Sequence, residues 1–175
     1  MADALLLVDV LKDFRHEDGD ALLESYRRRH PRLLALLAES RERGVPVVYA
    51  NDGANRWGSD WHGLVHEALE HGKAGTLVAA LAPRAEDIVL LKDAYSAFEG
   101  TRLAAVLDEL GADRVVLAGT ATEMCVLQTA TDAESRGLAV TVRGDASASV
   151  DPADEVSALE RLARIDGIEV VRPSE

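Results

Sequence analysis

Six short apolar runs constrain this chain more than any other feature: Ala4–Val10, Val45–Ala50, Asp87–Lys92, Val115–Ala118, Leu138–Val142 and Ile168–Val171. Several are solidly apolar rather than alternating, which suits strands covered on both faces, as in a parallel sheet. The stretches between them carry helical spacing. From Ala21 to Arg43 the apolar positions include Leu22, Leu23, Tyr26, Leu33, Leu34 and Leu37, ending at Gly44. Pro31 lies inside that pattern and is expected to kink the helix or split it in two. Shorter helices are predicted over Asp60–Gly72, Gly75–Leu81 and Thr101–Leu110, and from Met124 onward. A final one opens at Asp151-Pro152, where proline fits the first turn. Strands alternating with helices predict a three-layer α/β/α fold with a six-stranded parallel sheet and right-handed crossovers. At 175 residues a single domain over 1–175 is expected.

Composition removes several function classes. The formal net charge is −12, and the one basic run, Arg27-Arg28-Arg29, falls within a helical pattern as a solvated face. Nucleic-acid binding needs clustered cations and is not expected. The single cysteine rules out an intrachain disulfide and suits a reducing cytosol. The apolar run at residues 4–8 is too short for a signal segment or a membrane span. A cytoplasmic protein with no membrane partner is the expectation.

In parallel sheets ligands bind outside the carboxyl ends of the strands, and three chemically useful residues fall there. Asp9 ends the first run, Lys92 ends the third, and Cys125 follows the fourth through Gly119-Thr120-Ala121-Thr122-Glu123-Met124. A thiol at a helix start has its pKa lowered and becomes nucleophilic. Equally, a lone cysteine is often one more small buried hydrophobe. A charged residue at a strand end is often the strand meeting water. Together, an acid, a cation and a helix-start thiol on one rim form a catalytic set.

At these positions the sequence resembles the isochorismatase-like cysteine hydrolases. The blocks are Leu7-Val8-Asp9 with Asp13-Phe14, then Val48-Tyr49-Ala50-Asn51-Asp52, then Leu91-Lys92 with Ser96-Ala97-Phe98 and Gly100-Thr101. The most specific runs from Gly119 to Val126, with Thr129-Ala130 and Asp132-Ala133. The likeness extends from Leu5 to about Ala148. It implies an isochorismatase-like, Rossmann-like hydrolase fold, a Cys125–Asp9–Lys92 triad and a cis peptide at Thr120–Ala121. It implies a small-molecule substrate and a homodimer or higher homo-oligomer; no cofactor is expected. The chemistry that follows is C–N hydrolysis of a small amide, carbamoyl or ureido substrate through a cysteine thioester. The backbone N–H groups of Ala121 and Cys125 would form the oxyanion hole. Two alternatives stand: a vinyl-ether hydrolase using the Asp and Lys alone, and a non-catalytic member that binds a small ligand or a partner.

The sequence also departs from the family. Lys12 replaces the polar amide many relatives carry, altering the pocket mouth. The metal motif of nicotinamidase-type members is missing, since Ala54 stands two places after Asp52. His62 and His66 share a helix face at a spacing that suits a metal or a surface or interface role; no metal site is expected. Loops 13–20, 51–62 and 93–100 would shape the substrate pocket, with Phe14, Asn51, Trp57, Tyr95 and Phe98 as its candidate walls. Trp57 and Trp61 would wall the pocket, or pack a lid or a dimer contact.

Overall fold

A computed structural model of the chain describes residues 2–53 and 61–174. Trp57 therefore lies outside the described residues. The strands are β1 (Asp3–Val8), β2 (Val47–Asp52), β3 (Ile88–Lys92), β4 (Arg114–Gly119), β5 (Ala139–Arg143) and β6 (Ile168–Val171). They form one parallel sheet in the order β3-β2-β1-β4-β5-β6. The helices are α1 (Gly19–Glu42), α2 (Trp61–His71), α3 (Gly75–Ala80), α4 (Leu103–Glu109), α5 (Leu127–Ser135) and α6 (Pro152–Leu162), with a π-turn over Thr122–Val126 leading into α5.

Alternate β1 residues feed the two faces of the sheet. Leu5 and Leu7 pack in one apolar cluster with Leu22, Leu33 and Leu37 of α1 and Val78 of α3. Ala4, Leu6 and Val8 join the other, with Leu103 and Leu107 of α4, Ala130 of α5 and Leu159 of α6. Every β1 side chain from Ala4 to Val8 is fully buried, which is why that run carries no polar alternation.

α1 runs unbroken through Pro31. Pro31 is exposed, so the carbonyl that loses its helical donor faces water rather than the core, and no split results. α6 starts as its sequence predicts. Asp151 caps it, its carboxylate accepting from the N–H groups of Ala153 (2.7 Å) and Asp154 (3.3 Å), with Pro152 in the first turn.

β1 and β4 are neighbours, but the chain proceeds outward from them in opposite directions. That makes their carboxyl ends the topological switch point, where a crevice opens. Gly119, at the end of β4, permits the close approach there. It has φ of +147°, and a Cβ on it would lie 1.9 Å from the carbonyl oxygen of Val8.

Candidate active site

Asp9 is the first residue after β1 and has φ of 51°, a conformation aspartate tolerates better than most side chains. Its backbone is pinned from both neighbouring strands. The N–H donates to Ala50 O at 3.0 Å, and the carbonyl accepts from Thr120 Oγ1 at 2.7 Å. The carboxylate is 2 % exposed, and its Oδ1 accepts from the backbone N–H of Asp52 at 2.6 Å.

Lys92 comes from β3, which is not adjacent to β1. With strands about 4.8 Å apart, the two backbones are separated by about 10 Å, a gap that a lysine side chain spans. β3 is in register so that Lys92 lies opposite Asp52, and the side chain reaches over β2. Its Nζ lies 2.9 Å from Asp9 Oδ2, 2.8 Å from Ala94 O and 3.6 Å from Cys125 Sγ. These contacts use all three ammonium protons. Burial pushes the Lys92 ammonium down, but the Asp9 carboxylate and the Cys125 sulfur outweigh it and raise its basicity above the ordinary value. A buried ion pair is weak evidence for stability, since its desolvation cost is large. Here it fixes a positive charge beside a sulfur.

Cys125 stands in the π-turn after β4 and is half-buried. The turn begins at Ala121, whose carbonyl accepts from the N–H groups of Met124 (3.1 Å) and Val126 (3.2 Å). The peptide Thr120–Ala121 is cis. The thiol overturns the expectation of a lowered pKa. Burial pushes it up from the ordinary 9.0 to about 12, the Asp9 charge and a hydrogen bond to Asp9 add to that, and Lys92 offsets only part. Position at a helix start counts the backbone dipoles and omits both desolvation and the neighbouring carboxylate. At neutral pH the thiol therefore keeps its proton.

Surrounding loops lock these groups together. The backbone N–H of Ala97, from the loop after Lys92, donates to Thr129 Oγ1 of α5 at 3.0 Å. Glu123 Oε1 accepts from the N–H of Val150 at 2.8 Å, and Thr122 donates through its N–H to Ala148 O at 2.8 Å. The result is a cavity of about 560 Å³ into which Asp9, Lys92 and Cys125 all open, with Ala121 in its wall.

Of the expected pocket walls, Tyr95 lines this cavity and is 63 % exposed. Phe14 does not. It is fully buried and packs on Tyr26 with ring centroids 5.0 Å apart. Phe98 is also in the core, at 7 % exposure, with the Arg136 guanidinium 4.6 Å above its ring. Asn51 serves the backbone: its amide donates to Leu11 O and accepts from Leu11 N–H, both at 3.0 Å. It lines a smaller adjacent cavity of about 330 Å³. Phe14 and Phe98 turn inward because residue type in a loop does not say which way the side chain points, whereas Asn51, in β2, is held by the Leu11 backbone. His16 lines the cavity from the loop 13–20 expected to shape it, and Met124, Gln128 and Val150 are walls outside the expected loops. Met124 and Gln128 were findable as the immediate and one-turn neighbours of Cys125. Val150 carries no local signal.

His62 stacks on Trp61, with centroids 3.6 Å apart. Among the described residues, no group of three or more His, Cys, Asp or Glu side chains is arranged to hold a metal ion. Among the described residues, no helix is long and apolar enough to cross a membrane.

Parallel topology, a switch-point cavity and an acid, a lysine and a thiol opening into it mark a hydrolase of isochorismatase-like three-layer architecture. The Isochorismatase domain model matches residues 3–172, and the chain belongs to the isochorismatase family. It is 30% identical over 162 residues to the uncharacterised isochorismatase family protein YaaI of Bacillus subtilis, covering 93% of this chain and 89% of that protein. It is 30% identical to maleamate amidohydrolase of Pseudomonas putida, over 77% of this chain and 66% of the relative. The crystal structure of N-carbamoylsarcosine amidase from Thermoplasma acidophilum superposes with a TM-score of 0.75 at 32% identity, covering 100% of this chain and 98% of that one.

Proposed function

We propose that this hydrolase cleaves the C–N bond of a small carboxamide, carbamoyl or ureido compound through a thioester on Cys125. The observation that carries the reading is the Lys92 ammonium held between Asp9 Oδ2 (2.9 Å) and Cys125 Sγ (3.6 Å) in one cavity. A thiol pushed up to about 12 needs a base in contact with it, and Asp9 is that base. Asp9 takes the thiol proton as sulfur attacks the carbonyl carbon, forming a tetrahedral oxyanion. The same proton passes to the leaving nitrogen, the C–N bond breaks, and the acyl group stays on sulfur. Asp9 then takes a proton from water, hydroxide adds to the thioester, and the departing sulfur recovers the proton as the acid leaves. Lys92 stabilises the developing sulfur anion and orients Asp9. The N–H groups of Ala121 and Cys125 stabilise the oxyanion, a role in which one donor is worth about 3–4 kcal/mol. The amidase and amidohydrolase among the relatives support the bond class.

The test is a screen of small amides, carbamoyl and ureido compounds and isochorismate, run on the protein and on Cys125→Ala. The expected result is release of amine or ammonia that the variant abolishes. Full turnover by Cys125→Ala ends the thiol mechanism. Isochorismate cleavage that survives in that variant would point to the vinyl-ether chemistry instead.

A further inference from the structure

The cavity around Cys125 has an unbalanced rim. Asp9 and Lys92 neutralise each other at its floor. Above them, among the described residues, the side chains of Asp18, Asp93 and Glu99 line the cavity as exposed carboxylates, and Lys12 is the facing cation. Asp52 also lines it and has an interaction partner of its own, so it is left out of the balance. Three acids against one lysine leave the rim with two excess negative charges.

We infer that the substrate bears a positive charge on the part that projects from the scissile carbonyl toward the rim, an ammonium or amidinium rather than a carboxylate. This deepens the amide-hydrolase reading and rests on it for the position of the carbonyl at Cys125. A carboxylate there would meet the acids of three separate segments: the loop before α1, the loop after β3 and the approach to α4. Among the described residues the full positive charge facing it would be the half-buried Lys12. A cation meets the reverse. Excess charge of one sign lining a cleft selects ligands of the other sign in both encounter and binding.

Cys125 is the chain's one cysteine, so charged thiol reagents read the field at the reacting atom without any substrate. The probes are 2-aminoethyl and 2-sulfonatoethyl methanethiosulfonate, each forming a mixed disulfide on Cys125 with release of methanesulfinate. Their rate ratio is divided by the same ratio on 2-mercaptoethanol. A sphere of the cavity's volume is about 10 Å across. Two excess charges at that range, in about 10 mM salt, favour the cationic reagent by about fivefold. That ratio is expected to collapse toward one in Asp93→Asn/Glu99→Gln, which cancels the two excess charges, and to persist in Asp108→Asn/Asp166→Asn, whose exposed carboxylates lie outside the cavity lining. A smaller ratio in the unaltered protein, or an equal drop in the remote pair, overturns the inference. Amide turnover is measured separately, so failure of the charge preference leaves the amidase reading standing, and the converse also holds.

Discussion

Replacing Asp9 by Asn should make Cys125 more reactive toward an alkylating agent and yet abolish catalysis. The thiol is held at about 12 by burial, by the Asp9 charge and by the hydrogen bond to Asp9, with Lys92 opposing. At about pH 8 that leaves about one molecule in 10⁴ as thiolate. A unit charge about 4 Å away is worth about 4 kcal/mol at an effective dielectric constant of 20. Because the sulfur is half-buried, solvent screening reduces that, and a gain of about ten- to a hundredfold in thiolate is the working figure. Lys92, released from Asp9, adds to the gain. Asn is isosteric and can still accept from the Asp52 N–H, so the turn should persist. The assay is iodoacetamide alkylation followed by intact mass, in which the single cysteine gives an unambiguous adduct. Alkylation at least about tenfold faster in Asp9→Asn is expected, with amide turnover lower by about 10²- to 10⁴-fold as general acid–base catalysis is lost. Unchanged or slower alkylation would refute the claim that Asp9 holds the proton on sulfur, and retained turnover would refute its role as base.

Three further outcomes follow from the same geometry. The Cys125 thiol titrates higher in the folded protein than its ordinary 9.0, so the proton it retains stabilises the fold below that value and the contribution is lost as pH rises toward 12. Unfolding free energy should then fall with pH above about 9 in the protein but less in Cys125→Ser, by about 1 kcal/mol per pH unit, read by urea denaturation. Lys92→Met leaves Asp9 buried without its ammonium, since the pair's side chains are 3 % and 2 % exposed; a loss of about 3–5 kcal/mol is expected by the same denaturation. A loss under about 1 kcal/mol would mean that Asp9 finds another partner or takes up a proton. Asn51→Ala strips both amide contacts from Leu11 and should cost about 1–3 kcal/mol. It should also lower kcat/KM by loosening the loop that carries Asp9 and Lys12, so an effect on stability alone would separate that clasp from the site.

Much of the sheet was legible because its strands are buried on both faces, and continuous apolar runs such as Leu5–Val8 have no other stable use. Asp9 and Lys92 stood out as the charged residues closing two of those runs. Strand order was not legible, since the direction taken by each crossover leaves no mark in a single sequence. Yet order decides that Lys92 must reach across β2. Pro31 misled because sequence gives its place in a helix but not which face meets solvent. Phe14 and Phe98 misled for the related reason that an aromatic suits a pocket wall and a core equally well. The thiol's acidity was the largest gap. A helix start is a local feature visible in sequence, whereas burial and the contact with Asp9 are tertiary and outweigh it.

A covalent acyl-enzyme on Cys125 is tested by rapid-quench intact-mass analysis during turnover of a carboxamide substrate. An adduct of acyl mass is expected, formed with loss of the amine, mapped to Cys125 and absent from Cys125→Ala. Turnover at full rate with no adduct at any time point, together with an active Cys125→Ala, would contradict it.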